Sequence, residues 1–205
     1  MHLHLNPFRY LLFLLALMPL GLLSQGINEY AWATVHPIAA LKVKKAKRKA
    51  DSIYYSYVKK AIPDSFESGG KLDAFRHVFY MSVFTQQVRV KALRKLGQAH
   101  EKTNLRNYKK HKTEMGELAD ELFSEMDLLN NELGFTIGSA NKKASKETLA
   151  ELVLQNISEG KAKIILRNCK GSYVSCNNLS KTSSSVNVKT PADKCLVDSN
   201  QNCVQ

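Results

Sequence analysis

Four polar residues gather on one stretch of the 205-residue sequence: Asp73, Arg76, His77 and Tyr80. At helical spacing they share one face, and that face runs on into Phe84 and Val88. A solvated stripe rarely passes so soon into large apolar residues, so these groups are expected to be half-buried and to need partners. Asp73 is placed to accept a hydrogen bond from His77 one turn on. That bond fixes the imidazole tautomer and leaves its other nitrogen as a base or a ligand. Two further clusters offer the same chemistry: His100-Glu101, and Asp127 with Asn130 and Asn131.

Two imidazoles and two carboxylates suit the activation of a water, with or without a metal. His77, His100, Glu101 and Asp127 are therefore the candidate catalytic residues, and the same four are the candidate ligands of a divalent metal. Arg76, Asn130 and Asn131 are candidate substrate-binding groups, able to hold an anion or oxyanion. Asp73 and Tyr80 are supporting residues. The substrate expected of such a site is a phosphoester, a lipid or a cell-wall component. No G-x-S-x-G element is present, so a serine-nucleophile hydrolase is disfavoured. The competing expectation is a non-catalytic envelope or binding protein, in which the same residues form a structural polar network. Asp127 and Asn131 align with Asp120 and Ser124 opposite the leucine stripe of their own helix. An ordinary solvated face has that pattern too. The catalytic expectation therefore requires this helix to be buried on both sides or to line a cleft.

The elements that must position these residues are mostly helical. His36-Pro37 opens a helix carrying Val43, Ala46, Ala50, Ile53, Tyr57 and Ala61 on its core side, with Pro63 as its stop. Its other side bears Lys42, Lys44, Lys45, Lys47, Arg48 and Lys49. These form either a solvated face or a docking patch for anionic lipid or polymer. A second helix is expected from Lys71 to Leu96, apolar on two sides and so central in its bundle. A basic, polar stretch follows from Gly97 to Lys112. A third helix is expected from Thr113 to Leu133, with Leu118, Leu122, Met126, Leu129 and Leu133 as its stripe and Gly134 and Gly138 as stop signals. Ser145 caps a fourth, with Leu149, Leu152, Val153 and Ile157 inward, and Gly160 closes it. Ala162–Arg167 and Ser172–Cys176 read as two short strands around Gly171.

The fold class expected is mainly α: a single-domain helical bundle with a small C-terminal β-hairpin and a disulfide-tied tail. The expected divisions are an export signal over 1–26, a basic helical segment over 27–65, a helical signature domain over 66–160, and a hairpin with a cysteine-containing tail over 161–205. The signal rests on Arg9 and the apolar run Leu11–Leu23, which is shorter than a membrane-spanning helix needs. It implies the periplasm or the extracellular space. Cys169, Cys176, Cys195 and Cys203 agree with an oxidising compartment, where they would pair in one of three ways. The tail around Ser183–Ser185 is polar and is expected to bury little without those cross-links.

Thirty basic residues stand against eighteen acidic ones, a formal charge of +12. A field of that sign favours anionic partners. Nucleic acid is the least favoured of them, because Tyr108 alone interleaves among the basic residues from Arg89 to Lys112.

The strings Asp73-Ala74-Phe75-Arg76-His77, His100-Glu101 and Met126-Asp127-Leu128-Leu129-Asn130-Asn131-Glu132-Leu133-Gly134 together resemble a bacterial family of exported proteins and toxin-associated domains. Its pattern is D-A-F-R-H, then H-E, then M-D-x-x-N-N-x-x-G. The match spans about residues 66–138. The family has no established activity. The resemblance implies that Asp73, Arg76, His77, His100, Glu101, Asp127, Asn130 and Asn131 belong together. Phe79-Tyr80 departs from the Tyr-Trp pair that often follows the histidine in that family.

Overall fold

The computed structural model describes residues 26–55, 64, 66–113, 117, 119–176 and 194–204. Among them are six helices: α1 (Ile27–Val35), α2 (Pro37–Ile53), α3 (Lys71–Thr85), α4 (Val90–Tyr108), α5 (Glu121–Ala140) and α6 (Lys146–Ser158). Two short strands, β1 (Lys163–Ile165) and β2 (Leu196–Asp198), form an antiparallel pair. The mainly helical bundle with a small sheet and a cross-linked tail is therefore the observed architecture. The expected export segment, Tyr57, Ala61, Pro63 and Leu118 lie outside the described residues.

The centre of the bundle is α3. Its sequence is apolar nearly all round, and Leu72, Phe75, Val78, Phe79 and Val83 are fully enclosed. The second helix predicted from the sequence is in fact two. Chain turns at 86–89 separate α3 from α4, and α4 absorbs the basic stretch as far as Tyr108. The break is held from a distance. Gln86 donates to the carbonyls of Asn141 (3.0 Å) and Ala144 (2.8 Å), and Lys142 donates to the Thr85 carbonyl. Those bonds satisfy helix-end groups that would otherwise lack partners.

Helix α5 packs against α3 along most of its length. It begins later than predicted, at Glu121, where the Asp120 side chain accepts from the Leu122 and Phe123 amides. It also runs past both expected stops. Gly134 and Gly138 lie inside it and let two backbones approach. A Cβ on Gly134 would fall 2.5 Å from the Val78 carbonyl oxygen, and one on Gly138 would overlap that of Ser82. Helix α6 follows its predicted pattern, with Ser145 accepting from the Thr148 amide and Gly160 closing it at φ +79°.

Helix α1 lies in the 27–65 segment expected to be helical, as a separate helix before the one opened by His36-Pro37. It docks on α4 through Trp32, whose indole N–H donates to the Ala92 carbonyl at 2.8 Å. The sheet also differs in its partner. Lys163–Ile165 pairs with Leu196–Asp198, whereas the expected Ser172–Cys176 strand contributes only an isolated bridge between Arg167 and Tyr173. The disulfides are Cys169–Cys203 and Cys176–Cys195. Arg167, Cys195, Leu196 and Ser199 are enclosed, and the polar stretch around Ser183–Ser185 lies outside the described residues.

Candidate metal centre

Three elements bring the chemistry together. Gly69, held at φ +74°, aims its amide at Asp73 Oδ2 (2.7 Å) as the chain enters α3. The Arg76 guanidinium donates to Asp73 Oδ1 on the same helix. One turn after Asp73, His77 faces α5. Its Nδ1 lies 3.3 Å from Asn131 Oδ1, and its Nε2 lies 3.3 Å from Asp127 Oδ1 and 3.5 Å from Asp73 Oδ1. Asp73, His77, Asp127 and Asn131 are all buried.

The protonation of His77 follows from this setting. Burial, the Arg76 guanidinium and the His100 imidazole push its pKa well below the ordinary value, against the opposing bond to Asn131. A neutral ring has one N–H: donated from Nδ1 to Asn131 Oδ1 it leaves the Nε2 lone pair toward the carboxylates, and donated from Nε2 it serves Asp127 or Asp73. In the first tautomer the Nε2 lone pair faces two carboxylates. Three electron-pair donors converge, with one atom from each of Asp73, His77 and Asp127 lying within 4.8 Å of the others. Ligands about 2.0–2.2 Å from a tetrahedral ion stand about 3.3–3.6 Å apart. The two distances from Nε2 fall in that range. In the first tautomer a bridging proton or a divalent cation would resolve the repulsion, and one imidazole with two carboxylates is a donor set suited to zinc or manganese. Asn131 supplies the outer bond that orients such a ligand histidine.

The residues chosen from sequence are brought together only in part. His100 stands beside His77 and reaches α1. Its Nδ1 donates to Glu29 of α1 at 3.0 Å, its ring lies 6.5 Å from that of His77, and its side chain is 42% exposed. Glu101 is buried and accepts from Asn104 at 3.3 Å. Gly97, one turn before it, packs on Asn131, and Arg94 pairs with Glu132, so α4 runs antiparallel to α5. That register sets Glu101 level with the Ser124–Asp127 turn. Asn130 does not face the centre. Its amide donates to the Lys163 carbonyl (2.9 Å) and accepts from the Lys163 amide (2.8 Å), clasping β1 to α5. Tyr80 is also turned elsewhere. Its hydroxyl donates to Asp51 of α2 at 2.5 Å, and burial with that carboxylate pushes its pKa up.

The condition on α5 is met. Asp120, Ser124, Asp127 and Asn131 are all buried, as are Leu122 and Met126. The solvent face of this helix is instead Glu121, Glu125, Leu129, Glu132 and Thr136, and Leu129 of the expected core stripe is 42% exposed. Sequence reasoning treated Asp73 as a support, whereas it stands as close to Nε2 as a ligand would. It also missed Glu29. Only the buried position of that acid in an otherwise small-residue and apolar segment could have signalled it.

A groove of about 410 Å³ opens between α4 and α5, lined by Ser124 and Leu128 and rimmed by Glu121, Glu125 and Glu132. It borders the centre through Ser124 but does not contain His77. Its lining also includes Arg94, which pairs with Glu132 and leaves Glu121 and Glu125 as the unbalanced charges of the rim. Arg76 and His100 are the most exposed members of the cluster.

The chain matches the family described as a domain of unknown function, DUF6973, over residues 30–161. This span is well over half of the sequence, and the chain belongs to that family. It takes in α1 to α6 nearly whole and ends before β1. No curated protein and no solved structure matches the chain.

Proposed function

We propose that the chain is an exported, metal-dependent hydrolase acting on phosphoesters. A divalent ion would be held by Asp73, His77 and Asp127. The observation that carries this reading is the neutral His77 Nε2 with a carboxylate oxygen at 3.3 Å on one side and another at 3.5 Å on the other. The ion would supply Lewis acidity and a bound water of lowered pKa. Arg76 and His100, the most exposed members of the cluster, are where an anionic substrate would approach. Glu101, level with Asp127, is the candidate base. Hydrolysis forms one P–O bond from water and breaks the P–O bond to the leaving alcohol, whose oxygen takes the proton that the water gives up. The two disulfides and the apolar run Leu11–Leu23 support export.

A structural reading is favoured by one observation: Asp73 and Asp127 are only 2% and 5% exposed. A buried network of this kind could serve packing alone. The test is turnover of a chromogenic phosphomonoester and phosphodiester with zinc or manganese added. Asp127→Asn keeps the shape of the side chain and should lower the rate at least about a hundredfold. Absence of turnover with either metal, or equal turnover by the variant, contradicts the hydrolase.

A further inference from the structure

Helix α2 carries a surface that neither the fold nor the His77 centre uses. Its inner side is Ala39, Val43, Ala46 and Ala50, packed on the core. On the outer side Ile38, Leu41, Lys45, Arg48, Ser52 and Tyr55 follow one another at steps of three and four, so they form one stripe. Ile38 is 71% exposed, Leu41 70% and Tyr55 66%, and Val35 at the end of α1 is 72% exposed. Exposed residues of this size are rarely clustered without a purpose.

Six basic residues and one acid, Asp51, lie between Pro37 and Tyr55. Two of the six are engaged by the fold: Lys47 pairs with Asp51 and covers the Tyr80 ring, and Lys42 reaches the Gln87 carbonyl. Among the described residues, no ion pair engages Lys44, Lys45, Arg48 or Lys49. The outer side thus presents four cations with apolar side chains at both ends.

We infer that the outer side of α2, with Val35, is a docking surface for an anionic lipid bilayer. The cations match a negatively charged headgroup layer. The apolar groups give the reason to choose a bilayer over a soluble polyanion, which would leave Ile38, Leu41 and Tyr55 in water. An interfacial helix of this type sinks its apolar side chains to the acyl boundary while lysines and arginines stay at the headgroups. None of the described helices is long and apolar enough to cross a membrane, so contact through α2 would be peripheral. The inference is independent of the hydrolase reading, since it uses no residue of the His77 centre.

The test is sedimentation of the full chain with vesicles of phosphatidylcholine alone, and with vesicles of three parts phosphatidylcholine to one part phosphatidylglycerol. Binding should require the anionic lipid and weaken with added salt. Lys45→Glu with Arg48→Glu should lower the partition at least about tenfold. Ile38→Ser with Leu41→Ser should lower it as well. Both pairs are exposed, so both variants should fold, and circular dichroism checks this. Competition by soluble polyphosphate with no effect of the serine pair would overturn the bilayer in favour of a polymer. Loss in the serine pair alone would overturn the role of the charges. Equal partition by all three proteins would overturn the surface altogether.

Discussion

Two of the buried polar regions among the described residues solve the burial problem differently. Around Arg167 the charges meet opposite charges, carbonyls or aromatic faces, and among the described residues the buried Nε alone of that guanidinium has no hydrogen-bond partner. Its guanidinium donates to the carbonyls of Ser68 and Gly171, to Glu117 and to the Tyr173 hydroxyl, and lies between the rings of Phe66 and Tyr173. Lys194 pairs with Asp120 at 2.6 Å and rests over Phe123 and Tyr173. Around His77 two carboxylates, Asp73 with Arg76 beside it and Asp127, converge on one imidazole nitrogen. The first arrangement is what stability alone produces. The second gathers three possible ligand atoms within 4.8 Å of one another, the arrangement a bound cation would use.

The comparison can be broken first at Arg167. Arg167→Ala leaves Glu117 without its cation and opens the space between two rings. It should cost about 3–5 kcal/mol, read as a fall in the denaturation midpoint. Removing the nearby Cys176–Cys195 bond with paired serines should cost about 2–4 kcal/mol in the same assay. On the other side, Gly138→Ala forces α5 away from the Ser82 carbonyl and should cost about 1–3 kcal/mol. It should also disturb the His77–Asp127 distance, so metal affinity should fall with stability. The smallest effect concerns Glu29. Burial pushes its carboxyl up, but hydrogen bonds from His100 and Thr103 outweigh this and hold it below the usual value. A depressed folded-state pKa gives stability that is present above the unfolded value of 4.5 and lost as the pH falls through the folded one. Glu29→Gln should therefore flatten the stability profile below about pH 4.5 by about 1 kcal/mol or less, measured by thermal melts across the acid range.

What the sequence revealed of each region follows from the distance over which its contacts act. Asp73 and His77 sit one turn apart, so their meeting is local and legible. The burial of both sides of α5 is not, because it depends on α3 and α4 closing over a row that looks like any solvated face. His100 does stand beside His77, but its bond to Glu29, 71 residues away on a helix with no strong periodic signal, is not legible. The break between α3 and α4 was invisible because Gln86 takes its partners from the far end of α5. Gly134 and Gly138 were read as stops because a glycine that ends a helix and one that admits a neighbouring backbone look alike in sequence. Asn130 and Asn131 look equivalent, but adjacent positions on a helix point 100° apart, and one serves β1 while the other serves His77.

The most direct test of the account is the zinc and manganese stoichiometry of the purified chain after equilibrium dialysis, beside that of Asp127→Asn. The account predicts one ion per chain in the parent protein and none in the variant, with the variant still folded by circular dichroism. No bound ion in the parent, or equal binding by the two proteins, would contradict it and leave the His77 cluster as a packing network.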